Sequence, residues 1–148
     1  MLSRHLKLSL ATILMLVCGI AHAAEPSQDG RLANSVERSA LEAVKRRIDA
    51  FNDHDIDRYL AAHHEDVQIF EFPDKSIGVG RAHLQRIFGP LLEKGIGKTE
   101  VRHQVAIENK IVSEEQTNFG STQPETIVAI YTVKEGLISS IYLVEAAN

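Results

Sequence analysis

The feature that most constrains this chain is a change of hydrophobic period part-way along it. Val36, Ala40, Leu41, Val44, Ile48 and Phe51 recur every three or four residues, the buried stripe of an amphipathic helix. Ile56, Tyr59, Leu60 and His63 repeat that spacing in a short second helix. From Thr99 onward the apolar residues fall instead at alternate positions, the period of a half-buried strand. A helical period cannot serve as a strand period, so helices come first and an antiparallel sheet follows. That order predicts an α+β fold.

Local signals set the boundaries. Asn34, with Glu37 three residues on, has the form of a capping box opening the first helix, and Asp55 can cap the second. Residues 66–72 alternate as a strand, with Val67, Ile69 and Glu71 on one face and Gln68, Phe70 and Phe72 on the other. Pro73-Asp74-Lys75 ends it. A third helix starts near Arg81, with Leu84, Ile87, Phe88 and Leu91 on its apolar side; Gly89-Pro90 should kink it and Gly95 close it. Strands follow at 99–108 and 111–119, joined at Asn109-Lys110, and at 126–134 and 137–145, joined at Glu135-Gly136. A strongly curved sheet wrapped round the long helix would form a cone whose mouth makes a pocket.

The first residues read differently. Arg4 and Lys7 precede an apolar run from Leu8 to Ala21, and Ala21-His22-Ala23 has a small-x-small pattern. This predicts a secretory signal peptide over 1–23 and a mature chain beginning at Ala24 in the periplasm or outside the cell. The apolar run is shorter than the roughly 20 residues of a spanning helix, so no membrane anchor is expected after processing. Residues 24–34 form a polar tether, and 35–148 the folded domain. Cys18, the only cysteine, leaves with the signal peptide, so the exported domain has neither disulfides nor a thiol nucleophile. With 20 acidic against 16 basic residues, the net charge of −4 argues against a nucleic-acid partner.

Several chemistries lack their motifs. Gly78-Val79-Gly80 begins like a dinucleotide fingerprint without its third glycine. No two histidines stand at i, i+4, so neither a metal nor a cofactor is expected. The informative residues are polar groups on apolar faces. Glu71 continues the Val67/Ile69 face, and a carboxylate among apolar groups has the raised pKa of a general base. Equally, Glu71 could sit solvated or paired at a strand end. Arg47, on the edge of the first helix's stripe, could reach a pocket to meet Glu71 or an anion, or snorkel over the core. His63 lies on the second helix's apolar face, as a core histidine or a pocket group. Tyr131, in line with Ile127 and Ala129, could offer a hydroxyl inside the cone. Glu145, in line with Ile141 and Leu143, could add a second carboxylate at the mouth. His103 alternates with Val101 and Val105. The expected ligand-binding positions are Ile69, Phe88, His103, Ile127, Ala129, Ile141 and Glu145.

Three stretches carry a family resemblance: Ile48 to Leu60, His64 to Pro73 with Gly80-Arg81 opening a helix, and Val128 to Ile138. They resemble the SnoaL-like branch of the nuclear transport factor 2-like superfamily. The resemblance implies a cone-shaped, mostly antiparallel curved sheet around helices and a homodimer through the sheet's outer face. Its best-understood relative, ketosteroid isomerase, pairs a carboxylate base with hydrogen-bond donors for an enolate oxygen. On that pattern Glu71 falls at the catalytic carboxylate and Arg47 at the oxyanion tyrosine. Ala129 falls near the protonated aspartate, and Phe88 and His63 near supporting tyrosines. The dedicated donors are thus replaced. The expectation is an exported pocket protein binding a small, largely apolar, carbonyl-bearing molecule. As an enzyme it would use Glu71 to abstract a proton α to the carbonyl, with Arg47 and His63 or Tyr131 stabilising the enolate. The alternative is a non-catalytic ligand-binding or assembly domain in which Glu71 and Arg47 form a buried ion pair.

Overall fold

The computed structural model describes residues 28–144; the signal-peptide reading and Glu145 lie outside the described residues. Three helices, α1 (Gln28–Asn52), α2 (Ile56–Ala61) and α3 (Gly80–Leu92), pack with six strands. These are β1 (His63–Glu71), β2 (Lys75–Val79), β3 (Lys98–Ile107), β4 (Lys110–Asn118), β5 (Glu125–Lys134) and β6 (Leu137–Val144). They form one curved sheet in the order β2-β1-β6-β5-β4-β3. Every pairing is antiparallel except β1 with β6. The α+β cone expected from the change of period is the observed architecture. Among the described residues no helix is long and apolar enough to cross a membrane.

The core lies between the inner face of the sheet and the helices. Ala40, Val44, Ile48 and Phe51 of α1 are buried there with Tyr59, Leu84, Leu92, Ile111 and Ile138. Inner-face residues follow the strand period: Ile111, Ser113, Glu115 and Thr117 on β4, and Ala129, Tyr131 and Val133 on β5, are all buried. Glu135 and Gly136 both have positive φ (50° and 77°), the backbone a two-residue hairpin turn needs. Gly97 is held by close approach as well as by a φ of 123°: an added Cβ would meet the Phe51 ring at 2.7 Å.

Five local expectations need correction. α1 begins at Gln28, so it takes in most of the expected tether, and Asn34 lies within a helix already under way instead of capping one. Val36, expected on the buried stripe, is 44% exposed, because burial along α1 begins at Ala40. β2 was not expected: its burial pattern is almost wholly exposed, so it has no apolar alternation to read. α3 runs through Pro90 to Leu92; the missing N–H falls in the last turn, with both Pro90 and Arg86 exposed. The β3–β4 turn is Glu108-Asn109, one residue early, with Glu108 taking the positive φ and Asn109 accepting from the Val133 N–H at 2.8 Å.

Candidate functional site

The interior of the cone holds a charged polar cluster. Arg47 projects from α1 with only 12% of its side chain exposed, and its Nη1 donates to Oε2 of Glu115 at 3.0 Å. The Tyr131 hydroxyl donates to the other carboxylate oxygen at 2.8 Å. The guanidinium lies over two aromatic faces, its Cζ 5.4 Å from the Tyr131 centroid and 5.7 Å from that of Tyr59. His63, fully buried, packs its ring 5.0 Å from the same Tyr59 ring. Each element delivers its residue for a local reason. Glu115 and Tyr131 occupy inward positions of neighbouring strands, and Arg47 lies one turn from Phe51 on the side of α1 turned to the sheet.

Burial and charge act against each other here. Burial alone would lower the Arg47 pKa, but Tyr131, Glu115 and Tyr59 outweigh it and hold it raised, so the cation is fixed. Burial pushes the Tyr131 and Tyr59 hydroxyls up, which keeps both protonated. His63 is driven down to about 3, by burial first and then by the charges of Arg47 and Arg81, against a hydrogen bond to the Tyr59 carbonyl. It is therefore neutral at physiological pH. Its Nδ1 stands 2.8 Å from that carbonyl, which can only accept, so Nδ1 carries the proton and Nε2 the lone pair. Among the described residues two buried side-chain polar atoms are left without a partner: Nε2 of His63 and Nε of Arg47.

An aromatic group lies beside the cluster. Phe51 contacts Tyr59, Phe88 and Phe119 at centroid distances of 5.9, 5.9 and 6.3 Å, and Phe88 meets Tyr59 at 5.3 Å. Phe88 and Phe119 are half-buried, whereas Phe51 and Tyr59 are buried. Cavities open elsewhere on the surface. One of about 330 Å³ lies over the outer sheet face at Gln68, Phe70, Ser140 and Tyr142. Another of about 350 Å³ lies between α1 and β3 at Leu41, Ile48 and Val101. Among the described residues no group of three or more His, Cys, Asp or Glu side chains is placed to hold a metal.

The structure sets Arg47 over the Tyr131 ring and His63 beside the Tyr59 ring, and the carboxylate that meets Arg47 is Glu115, not Glu71. Glu71 shares the inward face of β1, yet its side chain is 37% exposed at the strand end and accepts from Lys75 Nζ at 2.8 Å. The apolar enclosure expected of a general base is absent there, because β1 ends and the Lys75 ammonium comes within reach. His63 opens β1 instead of riding on α2, which stops at Ala61. His103 points outward: its side chain is 82% exposed and pairs with Glu114 at 2.7 Å, after a register shift between Val101 and His103. Ile69, Ala129 and Ile141 are buried in the core, and Ile127, half-buried, pairs with Glu115 across β4 and β5. Glu115 and Tyr59 went unassigned in the sequence. The signal for Glu115 was its phase with Ile111, two strand repeats away. Ser113 and Thr117 on the same face made that stretch read as polar.

The SnoaL-like domain family matches residues 44–141. No curated protein matches the sequence. Among solved structures, an uncharacterized cystatin fold protein from Novosphingobium aromaticivorans is 18% identical, with a TM-score of 0.63 over 72% of this chain and 97% of its own. An NTF2-like protein of unknown function from Cytophaga hutchinsonii is 15% identical, with a TM-score of 0.59 over 70% and 87%. An LEH-like epoxide hydrolase from M. tuberculosis is 18% identical, with a TM-score of 0.59 over 72% and 82%. At these identities the likeness is one of fold. The fold hosts both enzymes and proteins of unknown role, so function must be argued from the interior cluster.

Proposed function

Because this chain belongs to the SnoaL-like domain family, we propose that it is a small-molecule binding protein whose site is the interior cluster of Arg47, Glu115, Tyr131, Tyr59 and His63. The observation that carries this reading is the pair of orphaned atoms, Arg47 Nε and His63 Nε2. Native interiors seldom leave buried polar atoms unpaired, since each costs about 1–3 kcal/mol, and two in one cluster mark a place for a missing polar group. The surrounding Phe51, Phe88 and Phe119 suit a compact, largely apolar body, and the half-buried Phe88 and Phe119 are the side chains that would move to admit it. One protein of like fold is an epoxide hydrolase, which is in keeping with a small-molecule ligand. In any catalytic role the interior carboxylate is Glu115, which orients Arg47 and the Tyr131 hydroxyl.

A second reading is a network that only fixes the fold. It is favoured by closure, since His63, Glu115 and Tyr131 each expose 1% or less of their surface. A thermal-shift screen of small alicyclic alcohols and ketones separates the two. The variant for comparison is Arg47→Met/Glu115→Leu, because replacing a buried ion pair by apolar groups is often neutral or stabilising. A ligand at 100 times its Kd stabilises by about 2.7 kcal/mol. A compound that raises the melting temperature of wild type and not of the double variant is the expected result. A screen in which no compound distinguishes the two proteins supports the structural reading instead.

A further inference from the structure

Resting on the cluster as a ligand site, we infer that the group it receives is a hydroxyl, whose proton goes to His63 Nε2 and whose oxygen, or the one next to it, accepts from Arg47 Nε–H. The argument is one of donor and acceptor parity. The Tyr59 carbonyl fixes the His63 proton on Nδ1, leaving Nε2 an acceptor. Arg47 can only donate, and its Nη1 is already committed to Glu115. Both side chains border the Tyr59 ring.

Other groups fail at least one demand. A ketone or ether satisfies Arg47 and leaves the lone pair of His63 unmet. A carboxylate offers no proton and would join the Glu115 carboxylate in the same interior. An ammonium could donate to His63 but would face the buried Arg47 cation with nothing left to neutralise it. Among groups whose polar atoms are all oxygen, only a neutral O–H both gives and accepts, and two sources have it: a ligand alcohol and an internal water.

The test uses the wild-type protein labelled with ¹⁵N at histidine, so it depends on no variant. The His63 Nε2 resonance is followed by NMR during titration with cyclohexanol, cyclohexanone and cyclohexanecarboxylate. The expected result is that cyclohexanol moves that resonance towards a hydrogen-bonded value and binds about tenfold or more tightly than the ketone, which leaves Nε2 unpaired. If the ketone or the carboxylate binds as well as the alcohol, the hydroxyl assignment is overturned while the ligand site stands. If Nε2 is already hydrogen-bonded in the free protein and none of the three moves it, a resident water fills the place, and both the assignment and the ligand site fall.

Discussion

The hydroxyl of Tyr131 on β5 donates to Oε1 of Glu115 on β4 at 2.8 Å, deep inside the cone. The bond joins two neighbouring strands and leaves Oε2 for Arg47, so one carboxylate ties both strands to α1. Removing that carboxylate strands a buried cation.

Glu115→Gln is therefore expected to destabilise the fold by about 3–5 kcal/mol, the usual cost of leaving one member of a buried ion pair alone. Arg47→Met/Glu115→Leu should recover most of that loss. Urea denaturation of the three proteins checks this. A single variant as stable as wild type would show that the pair contributes nothing.

Stability should fall as the pH drops below 6.5. His63 has a folded-state pKa lowered to about 3 from 6.5, so between these values the unfolded chain binds a proton that the native chain refuses. The unfolded state is then favoured by up to about 1.4 kcal/mol for each pH unit lost. Denaturation midpoints of wild type and His63→Leu, taken from pH 7 to pH 5, should diverge, with the variant less sensitive. Parallel profiles would assign the acid sensitivity to other groups.

Glu71→Gln should change little. The Glu71–Lys75 contact is half-exposed, and such pairs are worth about 0.2–1 kcal/mol. Ligands found by the thermal-shift screen should keep their affinity in this variant. A large loss of binding would return Glu71 to the site.

Isomerisation of 5-ene-3-ketosteroids is expected to be slow or absent. Ala129, fully buried, cannot donate to a developing enolate, and one lost donor costs about 10²–10³ in rate. An ultraviolet assay for the conjugated product decides it, rapid turnover being the adverse result.

The outer sheet face is our proposed dimer interface. Phe70 of β1 stacks on Tyr142 of β6 there, with centroids 4.6 Å apart and planes 14° apart, and Ile130 and Val144 lie half-buried on the same side. This aromatic pair, set among Gln68, Thr132 and Ser140, suits an isologous two-fold contact. Light scattering at micromolar concentration should give a dimer mass for wild type and a monomer mass for Phe70→Glu. A wild-type monomer would reject the interface.

Much of this was legible along the chain because it is local. Hydrophobic period alone separated helices from strands, placed Ile127, Ala129 and Tyr131 on one face, and put Arg47 beside a buried stripe. Glu135-Gly136 declared its own turn. The start of α1 and the strand β2 were not legible, because neither carries an apolar alternation: residues 33–39 and β2 are almost wholly exposed. What only the tertiary structure decided was which carboxylate meets Arg47. Glu71 stands in phase with Val67 and Ile69, whereas Glu115 stands between Ser113 and Thr117, so periodicity points to the wrong carboxylate. The difference is depth. β1 ends at Glu71, within reach of Lys75, while Glu115 lies mid-strand beneath α1, where the antiparallel register of β4 and β5 brings the Tyr131 hydroxyl to it. Burial is a property of the assembled sheet and helix together, so a strand's own sequence records the face a side chain takes and not how far inside it ends.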